Sequence, residues 1–139
     1  MKQALKKKWT SALRSGKYKQ GAGFLKRKRL DNIEYCCLGV LCNLITNSNR
    51  YWKTSGESIS HFYVIDSKNQ NKIYSFIKRL LHIKTSTNGN PYTMNSCTFP
   101  SSILPHLELS KENIHHLIYM NDGKKLSFIE IADWIEENL

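Results

Sequence analysis

Acidic residues are missing where they would be most conspicuous. Residues 1–29 contain no Asp or Glu, yet they hold eleven of the 21 Lys and Arg of the chain. Other absences exclude whole classes of function. No apolar run approaches the roughly 20 residues that span a bilayer. The opening Met-Lys-Gln-Ala-Leu-Lys-Lys-Lys has no apolar stretch behind it, so no secretory signal is expected. No Cys-x-x-Cys pair occurs among Cys36, Cys37, Cys42 and Cys97, and no His stands at a finger-like distance from them. A zinc site is therefore not expected. Gly21-Ala22-Gly23-Phe24 is too short for a dinucleotide loop, and neither a P-loop, a Gly-x-Ser-x-Gly elbow nor a His-Glu-x-x-His pair is present. No cofactor, no metal and no catalytic residue is predicted.

What is present fits one globular unit over residues 1–139. Apolar residues make up 40% of the chain and charged residues 23%, which argues against disorder. The net charge is +10 and lies wholly in the N-terminal segment. By contrast, residues 108–139 hold seven acids against three bases. A basic face of this density attracts nucleic acid, nucleotides or an acidic protein surface, or it complements the acidic C-terminus.

The pattern predicts a small helical α+β domain with a short antiparallel sheet or hairpin. Leu5, Trp9, Ala12 and Leu13 share one face of a helix over 2–15, with lysines opposite and Gly16 as C-cap. Residues 17–35 read as a hairpin turning near Asp31-Asn32. Residues 36–46 are apolar on all sides and read as a buried helix, with Gly39 permitting close approach of a neighbour. Its three cysteines should be small, reduced, buried hydrophobes, because no export signal is expected and a reactive thiolate would need a base and exposure. A strand is expected over 61–65, a helix over 70–83, a turn at 88–91 and a helical turn over 99–106. Ser110 opens a helix ending at Asp122-Gly123, and the Ser127–Glu130 capping box opens the last. His115 and His116, adjacent on a helix, should face one inward and one outward. That last helix carries Glu130, Asp133, Glu136 and Glu137, which argues against a helix-turn-helix reader of DNA.

Arg14-Ser15-Gly16-Lys17-Tyr18-Lys19-Gln20 is the best ligand candidate. Arg offers a planar fork for phosphate, Tyr a face for a base, and Gln a donor and an acceptor for its edge. The competing reading has Arg14 at a helix end, Tyr18 in the core and Gln20 holding a turn. The same two readings stand for Asn121. The candidate set is Arg14, Ser15, Tyr18, Gln20, Tyr35 and Asn121.

Several strings occur together: Trp9-x-x-Ala12-Leu13-Arg14-Ser15-Gly16-x-Tyr18-x-Gln20-Gly21, Tyr35-Cys36-Cys37-Leu38-Gly39-Val40-Leu41-Cys42, Phe99-Pro100, Met120-Asn121-Asp122-Gly123, and Ser127-Phe128-x-Glu130-Ile131-Ala132-Asp133-Trp134. As a set they resemble a widespread family of small phage and prophage proteins, over residues 9–45 and 99–137. The resemblance implies a phage gene expressed in a host bacterial cytoplasm. That setting favours an anti-defence protein, similar to the nucleotide sponges that inhibit Thoeris and CBASS signalling. Such a protein binds a cyclic oligonucleotide or a cyclic ADP-ribose type of signal without cleaving it. Two alternatives remain: a nucleic-acid-binding protein acting through its basic N-terminus, and an inhibitor that binds a host defence protein directly. Aromatics Trp52, Phe62, Tyr63 and Tyr92 among polar loops suggest a homodimer or larger closed oligomer. No membrane partner is expected.

Overall fold

The computed structural model describes residues 1–29, 31–46, 52–55, 59–62 and 107–139. The expectations for 70–83, 88–91, 99–106, Tyr63, Tyr92 and Cys97 lie outside the described residues. Of Trp52 and Phe62 only the backbone is described.

Helix α1 spans Gln3–Arg14 and buries Leu5, Trp9, Thr10 and Leu13. The three apolar residues recur every four positions, which keeps them on one stripe. Gly16 follows with φ +68, the left-handed conformation that ends a helix and that a side chain disfavours. Strands β1 (Lys19–Gln20), β2 (Lys26–Arg29) and β3 (Asn32–Tyr35) come next. Strands β2 and β3 form the expected antiparallel hairpin, in which Lys26 lies opposite Tyr35 and Arg29 opposite Asn32. Strand β1 departs from the expectation by pairing parallel with β3. The chain passes over residues 21–25 before the hairpin, so β3 folds back between β1 and β2. Among the described residues the strand order is β1-β3-β2-β5-β4, with β4 at Trp52–Ser55 and β5 at Ile59–Phe62.

Helix α2 (Cys37–Thr46) is the centre of the core. Cys37, Leu38, Val40, Leu41 and Cys42 are all at most 1% exposed, as its apolar sequence requires. It packs on α1, where Trp9 Nε1 donates to the Cys37 carbonyl at 3.0 Å. The thiol of Cys36 caps its start, accepting from Gly39 N at 3.3 Å.

Helix α3 spans Lys111–Ile118 behind a Ser110–Asn113 capping box. It does not run on as an α-helix to Asn121. Tyr119–Gly123 form one π-helical turn, closed by Lys124 N donating to Tyr119 O at 2.8 Å. Neighbours on an α-helix point about 100° apart. The wider turn lets Met120 and Asn121 both face inward, each 2% exposed. Helix α4 (Phe128–Asn138) opens with the expected Ser127–Glu130 box and buries Phe128, Ile131, Ala132 and Ile135 against α1. The result is a small α+β fold.

Candidate functional site

The structure brings Gln20 and Asn121 together. Gln20 Nε2 donates to Leu126 O at 2.8 Å and Asn121 Oδ1 at 3.2 Å, while its Oε1 accepts from Phe128 N at 3.0 Å. Asn121 Nδ2 donates to Gly21 O at 2.8 Å and Asp122 Oδ1 at 2.6 Å. Asn121 Oδ1 also accepts from Cys37 N at 3.3 Å. Both donors of Asn121 and its oxygen are thus engaged within the protein. The two amides act as remote caps. Gln20 satisfies a first-turn N–H of α4, and Asn121 one of α2. This network ties β1 to three other elements and leaves little of either amide for a ligand.

Arg14 is also engaged. Its guanidinium reaches Asp133 at 2.5 Å and Glu136 at 2.5 and 2.9 Å, both on α4. Lys6 Nζ donates to the Glu136 carbonyl at 3.0 Å. The basic N-terminal helix therefore does complement the acidic C-terminal one. Hydrogen bonds from Arg14 hold the Glu136 carboxyl down at about 2, from an ordinary value of 4.5. A depressed carboxyl contributes stability above its ordinary value and loses it as pH falls through the depressed one. Between about pH 4.5 and 2 the parent should lose stability more steeply than an Arg14→Met variant. Urea midpoints measured across that window, with a smaller pH slope in the variant, check this.

Tyr18 and Tyr35 meet edge to face, with ring centroids 5.1 Å apart. Tyr35 is buried, and Lys26 Nζ lies 5.5 Å from its ring centroid. Tyr18 is half-buried, and its hydroxyl accepts from Asn43 Nδ2 at 3.1 Å. The basic cluster of β2 is partly internal. Lys26 is 5% exposed, and desolvation lowers its pKa. The Arg27 guanidinium donates to Glu34 at 2.9 Å and lies 4.0 Å over the Phe24 ring.

A concave surface lies elsewhere, on the solvent side of α1. A groove of about 660 Å³ is lined by Ala4, Lys7, Lys8, Ser11, Ala12 and Ser15 of the helix and its end. Lys17, Tyr18 and Leu44 complete it. That volume suits a small molecule. Its surface is mostly apolar, with three lysines and no acid among the described residues that line it. Ser15 and Tyr18 of the candidate set line it. The Ser15 hydroxyl donates to Ala12 O at 2.7 Å and accepts from Lys17 N at 3.2 Å, which fixes the turn that carries Lys17. Lys7, Lys8, Ser11, Lys17 and Leu44 were not among the expected ligand residues. The signal was present in the i, i+3, i+4, i+7 spacing from Ala4 to Ser11, opposite the buried stripe.

The remaining reactive groups are poor candidates. Cys36, Cys37 and Cys42 are free and buried, as expected, and burial pushes the Cys36 thiol up to about 12. Cys37 and Cys42 are raised by the same cause, so none of the three supplies a thiolate near neutral pH. His115 and His116 correct an expectation, for both are exposed. His116 rests on Trp134 with centroids 4.8 Å apart, because α4 supplies an aromatic surface outside the core. No group of three or more His, Cys, Asp or Glu that could hold a metal occurs among the described residues.

No helix among the described residues is long and apolar enough to cross a membrane. No curated protein and no solved structure matches the chain. One family model matches residues 1–139, and the chain belongs to that family, DUF8296, described as a domain of unknown function.

Proposed function

We propose that the protein is a phage-encoded anti-defence protein that sequesters a nucleotide-derived immune signal without cleaving it. The observation that carries this reading is the α1 groove. Lys7, Lys8 and Lys17 offer cations for phosphate, and Tyr18 offers ring surface for a base. Asn43 and Tyr35 hold that ring in place before any ligand arrives. A homo-oligomer belongs to the reading, since an open groove gains walls from a second copy. The nucleic-acid alternative draws on the whole basic segment 1–29, Lys6 to Lys8 as well as the cluster of β2, and in that cluster Lys26 is buried and Arg27 is paired with Glu34.

The test uses the purified full-length chain. It is titrated calorimetrically with cyclic dinucleotides, cyclic ADP-ribose and a single-stranded oligonucleotide, then heated to release what it holds. One nucleotide should bind and be recovered intact. A Lys7→Gln/Lys8→Gln variant should bind it at least about tenfold more weakly, since a charge-assisted contact contributes about 1.5–3 kcal/mol. Lys28→Gln should leave capture unchanged. Cleaved nucleotide would make the protein an enzyme. Preference for the oligonucleotide, with Lys28 weighing as much as Lys7 and Lys8, would favour the nucleic-acid reading.

A further inference from the structure

Resting on the groove reading above, we propose that the ligand carries two phosphate groups set apart by ring surface, not adjacent phosphates. The argument is where the charge sits along the groove. Lys7 and Lys8 lie in the N-terminal half of the α1 lining, with Ala4 one turn before them. At 1.5 Å of rise per residue, Lys8 and Ser15 are about 10 Å apart along the helix axis. Lys17 follows Ser15 beyond the turn at Gly16, where φ is +68, so its backbone leaves the C-terminal end of α1, away from Lys7 and Lys8.

Ser11 and Ala12, which lie between Lys8 and Ser15 on the helix, are small, and Leu44 and Tyr18 add aliphatic and aromatic surface to the lining. Small residues let a flat ring approach the helix, and the apolar wall gains by covering it. A pyrophosphate bound at one end would leave the far lysine unmatched and the apolar middle uncovered. Two phosphates joined through sugar and base would match both ends and the floor together. No acid among the described lining residues opposes either end.

The linear dinucleotide pApA and ADP separate the possibilities, because both carry a nominal charge of −3 but differ in phosphate spacing. Calorimetric titration at one salt concentration should give pApA an affinity at least tenfold above that of ADP. Lys17→Gln alone and Lys7→Gln/Lys8→Gln alone should each reduce pApA to the ADP level, while Lys28→Gln leaves it unchanged. All four lysines are exposed, and unaltered circular dichroism and melting would show the fold intact. If ADP binds as tightly as pApA and both depend on Lys7 and Lys8, the spaced-phosphate inference fails and the groove reading stands. If Lys28→Gln weakens pApA as much as Lys17→Gln does, a diffuse field is responsible and the inference fails. If neither these probes nor the cyclic nucleotides bind, the groove reading fails with it.

Discussion

Gly39→Ala should be the most damaging glycine-to-alanine change among the described residues. An added Cβ would overlap the Leu25 carbonyl oxygen and stand 2.6 Å from its carbon. A flexible side chain could swing aside, but backbone cannot. The Leu25 carbonyl is also held in place, accepting from Cys36 N at 3.1 Å. Relief requires moving either the end of the β1–β2 connection or the first turn of α2, and both lie in the core. Overpacking of this kind costs about 3 kcal/mol or more, a large share of a small domain's stability. Urea denaturation should show a much lower midpoint for Gly39→Ala, or no cooperative transition. An unfolding free energy within about 0.5 kcal/mol of the parent would mean that α2 can slide, contrary to this packing.

Asn121→Ala comes second, by a different route. It removes the partner of the Gly21 carbonyl, of Cys37 N and of one Gln20 contact. Each buried group left without a partner costs about 1–3 kcal/mol, so a total of about 3–5 kcal/mol is expected. Asn121→Asp keeps the oxygen but loses both donors, and it places a carboxyl beside Asp122 and the Gly21 carbonyl. Burial raises such a carboxyl above its ordinary value of about 3.9. A raised folded-state pKa means stability present at low pH and lost as pH rises through the ordinary value. Asn121→Asp should therefore weaken from about pH 4 upward, whereas the Asn121→Ala penalty should be nearly independent of pH. Paired denaturation curves at pH 4 and pH 7 distinguish them. Equal penalties at both pH values would mean that residue 121 is not enclosed as described.

The helices were legible because their signals are local. Leu5, Trp9 and Leu13 mark the inward stripe of α1, Ser127 and Glu130 mark the start of α4, and the apolar run at 37–46 marks a helix buried on all sides. Gly39 was legible as a point of close approach, though not what approaches it. The parallel pairing of β1 was not legible, because register between distant segments leaves no periodic trace. The π turn was hidden for a similar reason. Asn-Asp-Gly reads as an ordinary helix end, and only the distant groups that need Asn121 pull one more residue inward. For the candidate site, residue chemistry drew attention to Arg14, Gln20 and Asn121. Apart from the Asn121–Asp122 contact, their partners lie 84 or more residues away in the chain, which no local pattern reveals. The groove lysines were visible as a face of α1, but their concavity depends on Leu44 and Tyr18 closing over it.

The pairing of the first and last helices has a consequence during synthesis. Arg14 and Glu136 are 122 residues apart. Ribosomes add about 5–20 residues per second, so α1 exists for roughly 6–24 s before α4 is made. Helix α2 follows much sooner and can cover Trp9, but the part of the stripe that packs on α4 stays bare. The packing of α1 on α4 can thus form only once residues 128–138 have been made, and until then the nascent chain should depend on whatever holds exposed apolar helix faces in the cell.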